Sequence, residues 1–455
     1  MARNQQHPNH PGVDQSDRTV PRNLRQTGDA DVDLLISTRI RKSPFWHLSV
    51  EEGCWQATVY NNMYHPRGYI DPEAGGLEAE YELLVNDVVL FDVAVERQIR
   101  VAGPDAEAFV NYVITRDATE IEPMRGKYAI CCNQDGGILN DFVLLRPDDD
   151  EFWFSIADSD LLQWLQGVTV GTDFEVEIDE IDVSPVQIQG PKSVDVMRSL
   201  LGDVVEDVPY YGLFEATING VPVLVSQTGF SGEEGFEIYV REATKNAEAV
   251  WNPVLDTVKD HGGAAIAVSH HRRVAAGILS LGQDMDHETS PFQVNLGYQV
   301  PDDKDAAYIG KAELERQKDA IENGEFPFTH KLVGLKMAGK PIREWAPDFW
   351  LISDPETGED CGYLTSAWWS PDLETNIGLG YVPAATLQAV TDVPLDDSIY
   401  DADVDVEFDV HLPEEYVEVP GEPVYATVAK VPFKESANPS AREQAKIHAR
   451  DDLGE

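Results

Sequence analysis

Residues 218 to 240, Ile-Asn-Gly-Val-Pro-Val-Leu-Val-Ser-Gln-Thr-Gly-Phe-Ser-Gly-Glu-Glu-Gly-Phe-Glu-Ile-Tyr-Val, leave the backbone few choices. Asn219-Gly220 stands between two short β-rich runs, residues 214 to 218 and 221 to 226, where an Asn-Gly pair supplies both positive-φ residues of a tight hairpin turn. The second run empties into a loop carrying Gly229, Gly232 and Gly235, glycines that let backbone approach a bound ring closely. An apolar β-prone run then resumes at Phe236. Side chains alternate along a strand, so Glu237 and Tyr239 share one face while Phe236, Ile238 and Val240 share the other. A carboxylate and a phenol side by side on a rigid strand suit a polar heterocycle; the plain alternative is a half-exposed strand with both turned to solvent.

The rest of the chain alternates strand and helix signals. Residues 78 to 86 read as a helix and 88 to 95 as a strand-like run leading into Asp92-Val-Ala-Val-Glu-Arg-Gln98. Ile99-Arg-Val-Ala-Gly-Pro follows, with Phe109, Val110, Val113 and Ile114 at helical spacing behind the Gly-Pro turn. The same grammar returns at Val186-Gln-Ile-Gln-Gly-Pro, followed by Val194, Met197, Leu200 and Leu201. Two such units imply two related α+β subdomains, each a sheet with helices on one face. Between them, residues 128 to 141, Tyr-Ala-Ile-Cys-Cys-Asn-Gln-Asp-Gly-Gly-Ile-Leu-Asn-Asp, read as a hairpin turning at Asp135-Gly136-Gly137, with Asp141 on its second strand. Ala247, Val250, Trp251, Val254, Leu255 and Val258 predict an amphipathic helix that Pro253 kinks or delays. From residue 331 to 431 short strands and turns dominate.

The chain has 455 residues, enough for two or three domains with a sizeable core. Its 34 basic and 82 acidic residues leave a net charge of −48, which must lie on the surface because so many carboxylates cannot be buried. That charge argues against nucleic-acid and anionic-membrane partners. The acid is dispersed through ordinary apolar patterning and resembles the surfaces of proteins from salt-in halophiles, where concentrated cation screens the repulsion. Thermal melting should therefore occur at a higher temperature in molar salt than in dilute buffer; equal melting temperatures would remove the inference. Cys54, Cys131, Cys132 and Cys361 show no metal-ligand spacing, so no metal is expected, and adjacent Cys131-Cys132 fit a core strand. With no apolar run of membrane-spanning length and no apolar secretory segment near Met1, the expectation is a soluble, cytoplasmic protein.

Thr228 to Ile238 resembles the folate-binding signature of the glycine cleavage T-protein (aminomethyltransferase) family, which also contains tetrahydrofolate-dependent dimethylsulfoniopropionate demethylases. Three further stretches are similar to the demethylase branch in particular: Arg39-Ile-Arg-Lys-Ser-Pro-Phe45, Thr58-Val-Tyr-Asn-Asn-Met63, and Asp92 to Gln98. The resemblance implies an α+β fold of two related subdomains plus a C-terminal β-barrel, three lobes around a central folate cleft. Its boundaries here would be a disordered tail at 1–33 and a folate-binding region at 34–330. That region would interleave 34–91 with 184–330 around 92–183, and a barrel at 331–432 and a polar tail at 433–455 would complete the chain.

The same resemblance implies a cofactor, tetrahydrofolate, accepting a one-carbon unit at its N5. Glu237 would bond the pterin, Asp141 would sit beside the reacting nitrogens, Gly229 and Gly235 would border the cofactor, and Arg273 would contact it. Ala275 departs from the pattern, standing where the family usually has Glu. A small cationic methyl donor calls for aromatic faces, with Tyr60, Trp46, Tyr210, Tyr211 and Tyr239 as candidates and Tyr239 assigned to catalysis with Asp141. Carboxylates on the donor and on the folate tail would call for Arg41, Arg125, Arg272 or Arg273. The expected activity is methyl transfer from a small methylated donor such as a dimethylsulfoniopropionate-like sulfonium. One alternative is aminomethyl transfer, with a lipoyl carrier protein as partner; another is a non-catalytic folate-binding regulator.

Overall fold

The computed structural model describes residues 38–344 and 349–436. The tail expected over 1–33, the start of order expected near Leu34, and residues 437–455 lie outside the described residues.

The Asn-Gly hairpin forms as its chemistry dictates. Leu213–Ile218 pairs with Val221–Ser226 in register Ile218↔Val221, with Asn219 at φ 48° and Gly220 at φ 81°. These strands open a six-stranded sheet that continues through Gly235–Arg241, Val183–Gln189, Val89–Asp92 and Ala264–Ala265, antiparallel except for the last pair. A second sheet of five strands runs in the order Arg125–Cys132, Ile138–Asp148, Glu151–Ile156, Gln98–Ala102, Glu177–Glu180. Each sheet buries one face under helices: Ser193–Leu201 and Ala243–Asp260 cover the first, Ala106–Val113 and Leu161–Thr169 the second. Between the sheets lies a small cluster holding Leu145, Trp153, Leu224 and Tyr239.

Both Gly-Pro turns join strand to helix for the same reason. Gly103 and Gly190 have φ of 135° and 121°, and a Cβ there would lie 2.6 Å from the Glu175 carbonyl oxygen or 2.7 Å from that of Asp87. Only glycine takes that conformation at that distance. Pro253 does not delay its helix, which starts ten residues earlier at Ala243 and runs to Asp260; the Thr257 hydroxyl donates to the Pro253 carbonyl at 2.7 Å.

The third lobe is a closed barrel in the order His330–Met337, Thr375–Pro383, Asp360–Ser370, Trp350–Ser353, Val404–Val410, Val424–Ala429. Its outer face, through Leu332, Trp368, Leu379 and Tyr381, packs against Ile130 and Ile138 of the second sheet's hairpin and against the segment around Val274 to Val300. Five helices among the described residues were not read from the pattern: Trp46–Glu51, Leu161–Thr169, His270–Ala276, Lys311–Glu322, where only Leu314 and Gln317 are buried, and Ala384–Val390 within the barrel. Residues 433–436, expected to begin a loose tail, instead lie along the domain junction. Phe433 packs on its core, the Lys434 amide donates to the Ala275 carbonyl at 2.9 Å, and Arg272 donates to the Glu435 carbonyl at 2.8 Å. No helix among the described residues is long and apolar enough to cross a membrane.

Candidate functional site

A cavity of about 210 Å³ opens where the three lobes meet. The first sheet contributes Glu237, at the start of its strand Gly235–Arg241, and the loop 228–233 that precedes it. The second sheet contributes Tyr128, Asp141 and Ser155 from adjacent strands, while Tyr60 enters from the hairpin Gln56–Tyr60/Met63–Gly68. Segments 276–281 and 294–296 close one side, and Val431, Pro432 and Ser436 complete the wall from beyond the barrel.

Glu237 and Tyr239 do share a face, and neither is turned to solvent: they are 2% and 0% exposed. The reason is tertiary, since the second sheet covers that face. The Tyr239 hydroxyl donates to Glu237 Oε2, and Gln187 Nε2 donates to Oε1 at 2.7 Å from the neighbouring strand, where Gln187 faces Glu237 in register. Tyr239 itself packs between the sheets and does not line the cavity, so it acts on the site through Glu237. Burial pushes the Glu237 carboxyl up from its ordinary range.

Asp141 lies across the cavity on Ile138–Asp148. Its Oδ2 accepts from the Tyr128 hydroxyl at 3.0 Å, while Oδ1 is buried without a hydrogen-bond partner among the described residues. Burial raises its carboxyl to about 6, with the Tyr128 hydrogen bond opposing and the Asp284 charge adding to the rise. The same burial, reinforced by the Asp141 charge, lifts the Tyr60 phenol far above its usual range, so it stays neutral.

Of the remaining expected residues, Gly229 and Tyr60 line the cavity, as do Tyr210 and Tyr211; Gly235, Arg273 and Trp46 do not. Gly229 and Gly235 both leave room for the Gln189 side chain: a Cβ at either would lie 2.1 or 2.2 Å from its amide. That amide donates to the Thr228 carbonyl at 3.0 Å and accepts from the Ser231 hydroxyl at 2.6 Å, shaping the loop. Trp46 stacks on Tyr64 at 4.9 Å between ring centroids, away from the site. Arg273 is fully buried in an ion pair with Asp284 at 2.5 Å and donates to the Ser366 hydroxyl at 2.8 Å, which ties its helix to the barrel. Arg272 pairs with Glu233 at 2.6 Å and Arg41 with Glu180 at 2.8 Å. Ala275 is buried in the interdomain core.

Sequence reasoning did not assign Glu96, Gln187, Tyr128 or Ser155 to the site. Glu96 lines the cavity, accepting from the Ser155 hydroxyl at 3.1 Å and from Gln187 Nε2 at 3.4 Å. Burial, then the charges of Glu237 and Asp141, hold its carboxyl well above the ordinary range. A signal was present for three of the four, because Glu96 lies within Asp92 to Gln98, Gln187 in the second strand–Gly-Pro unit, and Tyr128 in the hairpin with Asp141; Ser155, on Glu151–Ile156, lies in no stretch that stood out. Asn61, by contrast, is a packing residue, its side-chain amide donating to the carbonyls of Val95, Ile156 and Ala157.

Residues 46–304 match the GCVT N-terminal domain family, and residues 330–434 match the glycine cleavage T-protein C-terminal barrel domain family. The chain is 33% identical over 348 residues to a dimethylsulfoniopropionate demethylase of Ruegeria pomeroyi, spanning 76% of this chain and 90% of that protein. It is 31% identical over 300 residues to an aminomethyltransferase of Thermotoga maritima, spanning 65% and 78%. The fold is similar to the crystal structure of the glycine cleavage system aminomethyltransferase T from Bartonella henselae, with a TM-score of 0.70 at 22% identity, covering 87% of this chain and 99% of that one.

Proposed function

Because this chain belongs to the glycine cleavage T-protein family, we propose that it is a one-carbon transferase moving a methyl group from a small methylated donor, of dimethylsulfoniopropionate type, to N5 of tetrahydrofolate. The observation that carries this reading is the half-satisfied carboxylate of Asp141: a buried acceptor with an open Oδ1, facing the same cavity as a Glu237 held rigid by two donors. A buried acceptor without a partner costs about 1–3 kcal/mol, and a ligand N–H at that point would recover it. The residues present therefore fit a reduced pterin.

Tetrahydrofolate, when bound, supplies the nucleophilic N5 and the N–H groups of its ring. The protein's share is alignment, desolvation and proton handling. Glu237, clamped by Tyr239 and Gln187, fixes the ring's orientation. Asp141 holds the reacting edge through Oδ1 and takes up the proton released there, a role that requires it ionised. Phe142, Phe230 and Leu296 line the cavity and exclude water, while Tyr60, Tyr210 and Tyr211 offer ring faces to the donor.

Three stretches similar to the demethylase branch, and a relative aligned over 90% of its own length, support methyl over aminomethyl transfer. The aminomethyltransferase relative supports the alternative, in which a lipoyl carrier protein is the partner; a glycine-cleavage assay separates the two. The decisive experiment offers tetrahydrofolate and a panel of methyl donors in molar salt and follows 5-methyltetrahydrofolate. We expect product with a sulfonium donor. Absence of both heat and spectral change on titration with tetrahydrofolate would overturn the assignment. The acidic surface supports a cytoplasmic setting with a high concentration of cation.

A further inference from the structure

The cavity carries more negative charge than the grip on a pterin uses. Four carboxylates line it, those of Glu96, Asp141, Glu233 and Glu237, and among the described residues no lysine, arginine or histidine does. Glu233 is neutralised from behind by Arg272 at 2.6 Å. Asp141 and Glu237 are engaged by Tyr128, Tyr239 and Gln187. Among the described residues Glu96 receives the Ser155 hydroxyl and a long contact from Gln187, both neutral donors. Six tyrosines, residues 60, 128, 210, 211, 298 and 400, share the same walls. Acidic oxygens among aromatic faces make a receptor for a small positive ion, and a cation seated there offsets the burial and like charges that hold the Glu96 carboxyl up, drawing it into its ionised form.

We propose that Glu96 is the specificity-determining residue for the methyl donor, selecting a compact sulfonium or quaternary ammonium by its charge, and that the donor is recognised without the help of any carboxylate it carries. The second half follows from the arginines expected to meet such a carboxylate. Arg272 and Arg273 are committed to Glu233 and Asp284, Arg41 is paired with Glu180, and Arg125 does not line the cavity. The proposal rests on the methyl-transfer reading for its chemistry. As the heteroatom–methyl bond breaks, its electron pair stays on the heteroatom, so the donor departs neutral and loses its attraction to Glu96. One positive charge persists through the transition state, shared between donor, methyl and acceptor, so a carboxylate facing it stabilises the bound donor and the transition state to similar extents. Its effect therefore belongs in KM rather than kcat.

The test is an NMR titration of the full chain with trimethylsulfonium, a cation lacking a carboxylate, alongside neutral dimethyl sulfide. Wild type should bind the cation and discriminate against the sulfide. Glu96→Gln should weaken cation binding by about tenfold or more, the scale of a desolvated cation contact, while leaving the tetrahydrofolate Kd unchanged. Glu96→Asp should recover most of the loss, which separates a charge effect from misfolding. In turnover, Glu96→Gln should raise KM with kcat nearly constant, and trimethylsulfonium should serve with a KM close to that of a sulfonium carrying a carboxylate. The proposal is overturned if wild type does not bind the cation, if Glu96→Gln leaves binding unchanged, or if that variant loses tetrahydrofolate in step with the cation. It is equally overturned if a carboxylate on the donor proves necessary. Glu96-dependent cation binding without methyl transfer would leave this inference standing and remove the functional reading instead.

Discussion

Replacing Asp141 by Asn should lower methyl transfer by about 100-fold or more, the range for removal of a positioned general base, with a smaller effect on tetrahydrofolate binding. Asparagine keeps the shape and can still accept from Tyr128, but it cannot take a proton. The wild-type rate should rise with pH through about 6, where burial has moved the Asp141 carboxyl, and the residual rate of the variant should lack that limb. Stability should move the other way. The folded carboxyl titrates near 6 and the unfolded one near its ordinary value of 3.8, so between those values the native state retains a proton that the unfolded chain has released. This contribution to stability is fully present below pH 3.8 and lost as pH rises through 6, a difference of about 3 kcal/mol. Wild type should therefore lose melting temperature relative to Asp141→Asn between pH 4 and pH 8. Unchanged transfer, or a melting difference that ignores pH, would remove Asp141 from this role.

Asp284→Ala should be the most destabilising single change at the domain junction, costing about 3–5 kcal/mol because it strands a buried cation. The Asp284 carboxylate accepts from Arg273 at 2.5 Å, from the Thr365 and Ser366 hydroxyls at 2.6 Å each, and from the Ser280 amide at 2.9 Å. These partners come from the helix His270–Ala276, the barrel strand Asp360–Ser370 and the loop lining the cavity, so a single carboxylate sets three segments. The exposed pair Arg316–Glu313 provides the contrast, since breaking it should cost less than about 1 kcal/mol. Replacing Arg273 and Asp284 together by apolar residues of similar size should recover part of the loss, because no charge is then left unpaired. Denaturant unfolding in molar salt measures all three. A cost at Asp284 no larger than at Glu313 would show that the pair does not hold the junction.

Much of the local architecture was written in short-range chemistry. Asn219-Gly220, the Gly-Pro turns after Ala102 and Gln189, and the spacing of Val250, Val254 and Val258 each specify a turn or a helix through contacts a few residues apart. The folate-type signature from Thr228 to Ile238 and the hairpin carrying Asp141 likewise held three of the four carboxylates that line the cavity, Glu233, Glu237 and Asp141. Arg273 read differently in the two views. Its neighbours in sequence placed it beside a ligand, whereas its neighbours in space are Asp284 and Ser366.

What the chain determined alone was the set of strands, turns and helices, the family, and the pairing of Glu237 with Tyr239 on one strand face, because each depends on φ/ψ preferences and side-chain periodicity. Only tertiary structure decided which face was covered, that Tyr239 would stand behind Glu237 instead of beside a ligand, that Glu96 would join Glu237 across Gln187, and that Ser436 would reach the cavity wall. Those outcomes depend on how two sheets and a barrel bury their apolar surfaces against one another. Burial of that kind is a sum over contacts between residues far apart in sequence, and no local pattern encodes it.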